Sequence, residues 1–210
     1  MISAILLAAG QSLRMKGENK LVKEINGVPL VKLATKSILS SAIDEVIVVL
    51  GYEKEIIENT IGLNKKIKFV YNKDFETGIA SSIKIGVNNI SKNAEAFFIC
   101  LGDMPMIKQS IYNKLIKSRY NYNKKLKPKD KKEIIIPTNE GKEGNPVLFS
   151  KFMINKIMSI NDDEGAKKII ELNKNKILNV EVKNQNINID LDTQENFQLY
   201  NVWKPTPVLG

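Results

Sequence analysis

The sequence predicts an α/β fold with a mostly parallel β-sheet and helices on both of its faces. Short apolar runs, typical of buried strands, alternate with amphipathic helical stretches along the chain. Several of these runs end directly in polar loops that contain glycine, as the carboxyl ends of parallel strands do. The 210 residues, 43% of them hydrophobic, suffice for one sizeable core. One domain is therefore expected over residues 1–202, followed by a tail over 203–210.

The individual elements follow from β-branched runs, from helical periodicity and from flanking glycine and proline. The run Val46–Val49 is β-branched throughout, and Ile83, Val87 and Ile90 share one face of a helix. Strands are expected at residues 2–7, 45–50, 67–71, 96–101, 134–136, 147–149, 177–182 and 187–189. Helices are expected at 31–40, 54–61, 81–90, 109–118, 150–159, 165–173 and 193–202. A Lys-, Asn- and Tyr-rich stretch, 119–132, is expected as an exposed basic excursion.

The composition excludes several kinds of site. The chain has no histidine, which excludes His-based triads, His metal ligands and a His general base. Cys100 is the only cysteine, so neither an intrachain disulfide nor a cysteine zinc cluster is possible, and its apolar run places it in the core. Any metal must bind oxygen ligands, which favours Mg²⁺ or a similar hard ion. With no signal segment and no run of transmembrane length, a cytoplasmic location is expected.

The loop after the first strand has the features of a phosphate site. Ala8, Ala9 and Gly10 let a ligand approach the backbone closely, and Arg14 and Lys20 supply positive charge. Neither the Walker pattern nor the three-glycine dinucleotide fingerprint is present, so the loop is of another kind. The alternative is a strand followed by a basic surface loop. The clustering of small residues and two cations directly after a strand favours the phosphate site.

Two aspartates are candidate metal ligands. Asp103 follows the apolar run 96–101 in a Leu-Gly-Asp-Met-Pro segment. The carboxyl ends of parallel strands share one edge of a sheet, so Asp103 is expected near the first loop, where it can hold Mg²⁺ against nucleotide phosphates. A turn aspartate before a proline is the alternative. Asp192, at the end of an Asp-Leu-Asp segment, is the second candidate, with helix capping as its alternative.

Two further loops carry polar residues after or before predicted strands. Residues from Asn72 to Gly78 follow the strand at 67–71, and either Ser81 or Ser82 is expected to cap the next helix. A helix start of this kind also suits an anion or a base edge. In residues 141–147, two glycines flank charged residues just before a predicted strand. This segment is a candidate functional loop, and a plain hairpin is the alternative interpretation.

In this order, the segments resemble the MobA-like nucleotidyltransferase family over residues 2–197. Leu7 to Lys20 is similar to the family signature L-A-A-G-x-S-x-R-M-G-x-x-K, and the Ala-Ala-Gly form is similar to its cytidylyl branch. The segments at Asp103, Asn145 and Asp192 resemble the family's L-G-D-M-P, G-H/N-P-V-L-F and D-I-D-T-P-E-D elements. The resemblance implies a single Rossmann-like domain of the GT-A nucleotidyltransferase type.

The sequence departs from the family pattern at three places, and those at Lys16 and Asn145 bear on substrate choice. Lys16 makes the first loop one residue longer than the tighter family version. Asn145 stands where many relatives have His, and Gln194 and Asn196 replace the usual Pro and Asp. None of these departures removes a residue that the resemblance assigns to phosphate or metal.

The resemblance also implies a reaction. A Mg²⁺-dependent enzyme of this kind joins CMP from CTP to the terminal phosphate of molybdopterin-bound molybdenum and releases pyrophosphate. Arg14, Lys20 and Asp103 would be the catalytic residues. The implied contacts are the triphosphate at Arg14 and Lys20, the metal at Asp103 and Asp192, the nucleotide also at Leu7, Ala8, Ala9, Gly10, Asn72, Gly78, Ser81 and Ser82, and the acceptor at Asn145.

The implied partners are CTP and molybdenum-molybdopterin as substrates, with a transient molybdenum hydroxylase and with neither nucleic acid nor membrane. Two alternatives stay open. A related transferase would act on a sugar phosphate or another phosphate acceptor, and pyrophosphate release with such acceptors would reveal it. A non-catalytic carrier would deliver a nucleotide-bearing cofactor to an oxidoreductase, and would not need Lys20 with two metal-binding carboxylates.

Overall fold

The computed structural model describes residues 1–11, 19–159 and 165–191. Its strands are β1 (Ile2–Ala8), β2 (Glu24–Ile25), β3 (Val28–Pro29), β4 (Glu45–Leu50), β5 (Ile67–Tyr71), β6 (Ala96–Leu101), β7 (Ile134–Asn139), β8 (Lys142–Glu143), β9 (Val147–Ser150) and β10 (Ile177–Glu181). Its α-helices are α1 (Leu30–Leu39), α2 (Lys54–Ile61), α3 (Ile79–Asn89), α4 (Gln109–Asn123), α5 (Ile154–Met158) and α6 (Lys167–Leu172).

The main sheet is mostly parallel, in the order β10-β7-β9-β6-β1-β4-β5, and β8 pairs with β7. The central strand β1 pairs in parallel with β4 and with β6, which places Leu7 opposite both Val49 and Leu101. Strand β9 runs antiparallel to its neighbours β6 and β7. The carboxyl ends of β1, β4, β5 and β6 therefore share one edge of the sheet with the segment that enters β9.

Helices cover both faces because alternate strand residues point to opposite sides of the sheet. Leu6 of β1 is fully buried in a cluster that includes Ile38 of α1, Ile57 of α2 and Leu115 of α4. On the opposite face, Ile5 and Leu7 of β1 pack with residues from α3, α5 and α6. The predicted fold class is thus confirmed, with one core on each side of a shared sheet.

The predicted bounds of β4, β5, β6 and α2 match the structure. These elements are either strongly β-branched or bounded by clear polar turns, so the local signal and the tertiary packing agree.

Three local predictions are wrong. Residues 187–189 do not form the predicted strand, and a 3₁₀ turn covers Gln185–Asn188 instead. The Asn184 side-chain oxygen accepts a hydrogen bond from the Asn186 N–H, which favours the turn, and Ile187 packs into the core. Helix α4 continues past residue 118, since Asn123 pairs with both main-chain groups of Lys132 at the helix end. Neither Ser81 nor Ser82 caps α3, because the helix begins two residues earlier, at Ile79.

Two predicted features fall on residues that the structure does not describe. The closing helix at 193–202 and the tail at 203–210 both lie outside the described ranges. None of the helices within those ranges is long and apolar enough to span a membrane.

Candidate active site

Main-chain contacts from both neighbouring strands hold the end of β1. The Gly102 N–H, just after β6, donates to the Leu7 carbonyl at 3.1 Å, and the Tyr52 N–H, just after β4, donates to the Ala9 carbonyl at 3.1 Å. A Cβ on Gly51 would lie 2.6 Å from the Ala9 oxygen, so only glycine permits this approach. Sequence reasoning missed Gly51, although a glycine soon after a buried strand is the same signal that marked the loop at Gly10.

Lys20 and Asp103 form an ion pair at this edge of the sheet. Lys20 Nζ lies 2.6 Å from Asp103 Oδ2, and the two side chains are 15% and 17% exposed. The pairing confirms that the loop after β1 and the aspartate after β6 come together, as the parallel-strand rule predicts. Opposite charges this close and this shielded interact more strongly than a pair on the open surface.

The turn that carries Lys20 is fixed by its own cap. Lys20 begins a 3₁₀ turn, Lys20–Val22, and the Asn19 Oδ1 accepts the Leu21 N–H at 3.1 Å. The Asn19 side-chain N–H₂ group is buried without a hydrogen-bond partner among the described residues. Sequence reasoning did not single out Asn19; asparagine directly before a short turn is the capping signal that could have found it.

Asp103 retains an oxygen suited to a cation. Its Oδ1 is buried and accepts no hydrogen bond within the described residues. A carboxylate oxygen with unused lone pairs fits a hard divalent ion, so Asp103 suits the expected Mg²⁺. The described residues contain no group of three or more His, Cys, Asp or Glu side chains placed to hold a metal.

Two predicted site residues lie outside the described residues. Arg14 falls in 12–18, and Asp192 falls just after Leu191, the last residue that the structure describes. The Leu191 N–H donates to the Asp103 carbonyl at 3.2 Å, so the chain that leads into Asp192 runs directly beside Asp103.

Asn72, Ser81 and Ser82 form a buried hydrogen-bond network at the end of β5. The fully buried Asn72 amide donates to the Ser81 hydroxyl at 2.8 Å and to the Ser82 hydroxyl at 2.9 Å, and its oxygen accepts the Asp74 N–H at 3.0 Å. The Ser81 hydroxyl donates in turn to the Gly78 carbonyl. The network therefore holds the loop from Asp74 to Gly78 against the first turn of α3.

Asn145 lies at the same edge of the sheet, in the segment that enters β9. Its N–H donates to the Ile187 carbonyl at 2.8 Å, and a Cβ on the preceding Gly144 would lie 2.4 Å from that oxygen. The half-buried Asn145 side chain makes no hydrogen bond within the described residues. Strands β7 and β8 form the hairpin that was the alternative interpretation of 141–147.

Cys100 belongs to the core, as its apolar run predicts. It is 2% exposed and hydrogen-bonds Tyr112 of α4. Burial raises the pKa of the Cys100 thiol from 9.0 to about 12, so the thiol stays protonated at neutral pH and does not act as a nucleophile.

Fold and site together define a nucleotidyltransferase, with glycines at strand ends, a Lys–Asp pair and a carboxylate oxygen left for a metal. The sequence matches the MobA-like NTP transferase domain over residues 4–179. The chain belongs to this family, and the family assignment that its motifs indicate is confirmed.

Curated relatives match different portions of the chain. The molybdenum cofactor cytidylyltransferase of Escherichia coli K12 is 24% identical over 196 residues, which cover 93% of both proteins. The bifunctional protein GlmU of Acetivibrio thermocellus is 32% identical over 125 residues, which cover 59% of this chain. The chain spans only 25% of the length of that GlmU protein.

Solved structures share the fold. Rv0371c from Mycobacterium tuberculosis H37Rv superposes with a TM-score of 0.81 at 18% identity, covering 95% of this chain and 97% of Rv0371c. A manganese complex of Rv0371c superposes with a TM-score of 0.76 at 16% identity, with the same coverage of both chains.

Proposed function

We propose that the protein transfers CMP from CTP to the terminal phosphate of molybdopterin-bound molybdenum cofactor and releases pyrophosphate. The observation that carries the proposal is the Lys20–Asp103 pair at the carboxyl end of β1, with one buried carboxylate oxygen unused. The Ala-Ala-Gly form of the first loop supports cytidine as the nucleoside. The molybdenum cofactor cytidylyltransferase that matches 93% of this chain supports the acceptor.

Positive charge at Lys20 and Arg14 would hold the triphosphate, and Asp103 with Asp192 would hold Mg²⁺. The manganese complex of Rv0371c supports a divalent ion in this fold. When bound, the ion would neutralise charge on the phosphates, as is usual where one or two carboxylates meet a nucleotide. The small residues Ala8, Ala9 and Gly10, which follow Leu7, would let the nucleotide lie against the main chain at the end of β1.

The hydrogen-bond network gives Asn72, Ser81 and Ser82 a positioning role. The Ser81 hydroxyl both accepts from Asn72 and donates to main-chain carbonyls, so its hydrogen-bonding groups are already engaged. These three side chains would shape the loop that ends at Gly78, and the loop backbone would then contact the base and ribose.

The proposed chemistry needs no general base. The second pKa of a phosphate monoester is about 6, so the acceptor is largely ionised at neutral pH. An acceptor oxygen forms a bond to the α-phosphorus of CTP while the bond between that phosphorus and the bridging oxygen breaks. The bridging oxygen leaves as part of pyrophosphate, and Lys20 would stabilise the negative charge that develops on it.

The test is pyrophosphate release with molybdenum-molybdopterin and Mg²⁺ in the presence of CTP, GTP, ATP or UTP, assayed side by side. We expect release with CTP and a product that carries CMP in its mass spectrum. Release with another nucleotide would overturn the cytidine assignment. Release only with sugar phosphates, or tight nucleotide binding without release, would favour the other transferase or the carrier instead.

A further inference from the structure

Two lysine-rich segments meet at the end of the sheet opposite the candidate active site. One segment leads into β7 and the other into β10, and these strands are parallel neighbours, so both segments lie at the amino ends of their strands. Lys132 Nζ donates to the Asn175 carbonyl at 2.7 Å, and Lys176 Nζ donates to the Lys129 carbonyl at 2.6 Å. The two hydrogen bonds join the segments into one surface.

This basic surface, formed by residues 124–132 and 174–176, carries most of the net charge of the protein. The two segments contain eight lysines and one aspartate, so their net charge is +7, against +9 for the whole chain. Five of the lysines are exposed and form no ion pair within the part of the chain that the structure describes: Lys124, Lys125, Lys127, Lys129 and Lys174.

The basic surface is too far from the candidate active site to hold the phosphates proposed there. Strand β6 runs from the amino end of the sheet towards Asp103, and its six residues span about 20 Å. Exposed charges are largely screened from one another beyond about 8 Å at physiological ionic strength. The lysines at this end therefore point to a different anionic partner.

Two exposed tyrosines accompany the lysines at the end of α4. Tyr120 is 66% exposed and Tyr122 is 47% exposed. The Lys124 N–H donates to the Tyr120 carbonyl at 3.0 Å, so Lys124 continues the turn of Tyr120 and lies on the same side of the helix. Aromatic rings beside positive charge suit single-stranded nucleic acid, in which the bases stack on rings and the phosphates pair with cations.

Other anionic partners match the basic surface less well. Protein interfaces are depleted of lysine at their cores. A helix that lies on a membrane needs a free apolar face, whereas Ile111, Tyr112 and Leu115 of α4 are buried in the core. The bases of a duplex stay stacked on one another, so they are not available to exposed tyrosines.

We infer that the basic surface binds single-stranded nucleic acid, with lysines on successive phosphates and with Tyr120 and Tyr122 against the bases. The family resemblance implies no nucleic acid partner, so this function goes beyond nucleotidyl transfer and does not rest on it. Binding would be largely independent of sequence, because neither stacking nor phosphate pairing reads the edges of the bases.

The test is fluorescence anisotropy of a labelled oligouridine of about 20 nucleotides, longer than one binding site of this kind, without divalent ions. The other probes are an oligoglutamate peptide and an RNA duplex of the same length. We expect oligouridine to bind at least about tenfold more tightly than the peptide and more tightly than the duplex. Equal or tighter binding of the peptide would favour an acidic protein and overturn the inference. Equal or tighter binding of the duplex would overturn the role of the bases.

Salt dependence locates the phosphate contacts. Five lysine–phosphate contacts predict a slope of about −3.5 in log affinity against log salt, or about 100-fold weaker binding at 200 mM than at 50 mM. Lys124→Gln with Lys125→Gln should make the slope shallower by about 1.4. Lys65→Gln with Lys68→Gln removes the same charge from exposed positions at the β5 edge of the sheet, so the slope should stay unchanged. Equal slopes in the two variants would contradict the assignment.

The tyrosines should contribute affinity without changing the salt dependence. Tyr120→Ser with Tyr122→Ser should weaken oligouridine binding by at least about tenfold and leave the slope unchanged, because stacking releases no counterions. Undiminished binding by this variant would reject stacking on α4.

Competition separates this surface from the candidate active site. Excess CTP should not displace oligouridine, and Lys20→Met should bind it as tightly as the natural protein does. Displacement by CTP would place the oligonucleotide at the candidate active site and overturn the inference. Pyrophosphate release is a separate readout, so its absence would reject the proposed function and leave this binding site standing.

Discussion

Besides their ion pair with each other, Lys20 and Asp103 are each proposed to bind a second partner: the triphosphate at Lys20 and a metal ion at Asp103. Lys20 Nζ lies 2.6 Å from one oxygen of Asp103, while the other oxygen is buried without a partner among the described residues. If Asp103 holds a metal and Lys20 holds the triphosphate, as we propose, the metal and the nucleotide act on the two partners of one ion pair. The Lys20 ammonium group would then compete with the metal for the Asp103 carboxylate until a bound nucleotide pairs with the ammonium group instead.

Lys20→Met should strengthen binding of Mn²⁺ to the nucleotide-free protein. The neutral side chain leaves the Asp103 carboxylate without its competing cation. The expected gain is about tenfold, or ~1.4 kcal/mol, below the ~4 kcal/mol expected for unit charges about 4 Å apart near a protein surface. Electron paramagnetic resonance of free Mn²⁺ measures the affinity directly. The same variant should lose turnover, because the triphosphate loses a charge partner.

Lys108→Met is the matched control for this experiment. It removes the same charge from an exposed lysine just before α4, so Mn²⁺ affinity should stay unchanged. Weaker Mn²⁺ binding to the Lys20→Met protein would contradict the competition between Lys20 and the metal.

At the scale of elements, the loop after β5 depends on one buried amide. Asn72 is fully buried and joins Ser81, Ser82 and the Asp74 main chain through three hydrogen bonds. These contacts hold the loop that ends at Gly78 against the start of α3. The sequence identified these residues as a polar group near a helix start, but it also predicted that one of the serines caps α3, and neither does.

Asn72→Ala should destabilise the fold by about 2–4 kcal/mol. Each lost hydrogen bond contributes ~1 kcal/mol, and the buried Ser82 hydroxyl is left with fewer partners. Urea denaturation gives the change in the free energy of unfolding. Asn88→Ala, at an exposed position on α3, should change it by no more than ~0.5 kcal/mol. Similar values for the two variants would show that the network adds little to stability.

Local sequence signals predicted the elements where burial and propensity agree. The strands β4, β5 and β6 have the predicted bounds because their residues favour strands; those of β4 and β6 are also buried in the core, and the apolar residues of β5 pack against it. The segment at 187–189 is different, since a side-chain turn at Asn184 competes with strand formation. The pairing of Asn123 with Lys132, which marks the end of α4, joins residues whose contact no periodicity reveals.

The candidate site was partly predictable for the same reason. Parallel topology places strand ends together, so Asp103 could be assigned to the first loop from the strand pattern alone. A cleft of about 350 Å³ between α3, β6, β7 and α6 could not be predicted, because the aliphatic residues that line it look like ordinary core positions in the sequence. The close approach of Gly51 to Ala9 likewise depends on the register of β1 against β4.

At the scale of the whole molecule, the buried pair of Cys100 and Tyr112 links β6 to α4 and makes stability depend on pH. Burial raises the pKa of the Cys100 thiol from 9.0 to about 12 and the pKa of the Tyr112 hydroxyl well above 10.0. Both groups ionise more readily in the unfolded chain. Their contribution is therefore fully present below about pH 9 and is lost as the pH rises towards 12.

The free energy of unfolding should fall between pH 9 and pH 10 by about 1 kcal/mol more in the natural protein than in Cys100→Ala. One proton that only the folded state retains corresponds to ~1.4 kcal/mol per pH unit at most. Urea titrations at pH 8, 9 and 10 measure how the free energy of unfolding changes with pH. The difference between the two proteins at pH 8 gives the effect of the cavity that the substitution leaves, and this effect is subtracted. Equal slopes in the two proteins would show that the thiol ionises alike in both states.

We propose that the Lys20–Asp103 edge of the sheet performs metal-dependent nucleotidyl transfer. The most direct measurement is Mg²⁺-dependent pyrophosphate release from CTP, with molybdenum-molybdopterin as the acceptor, by the natural protein and by Asp103→Asn, whose amide keeps the shape and removes the charge. We predict release that chelation abolishes and a loss of at least about 100-fold in the variant, with its thermal unfolding little changed. Undiminished release by Asp103→Asn, or release that survives removal of divalent ions, would contradict the claim.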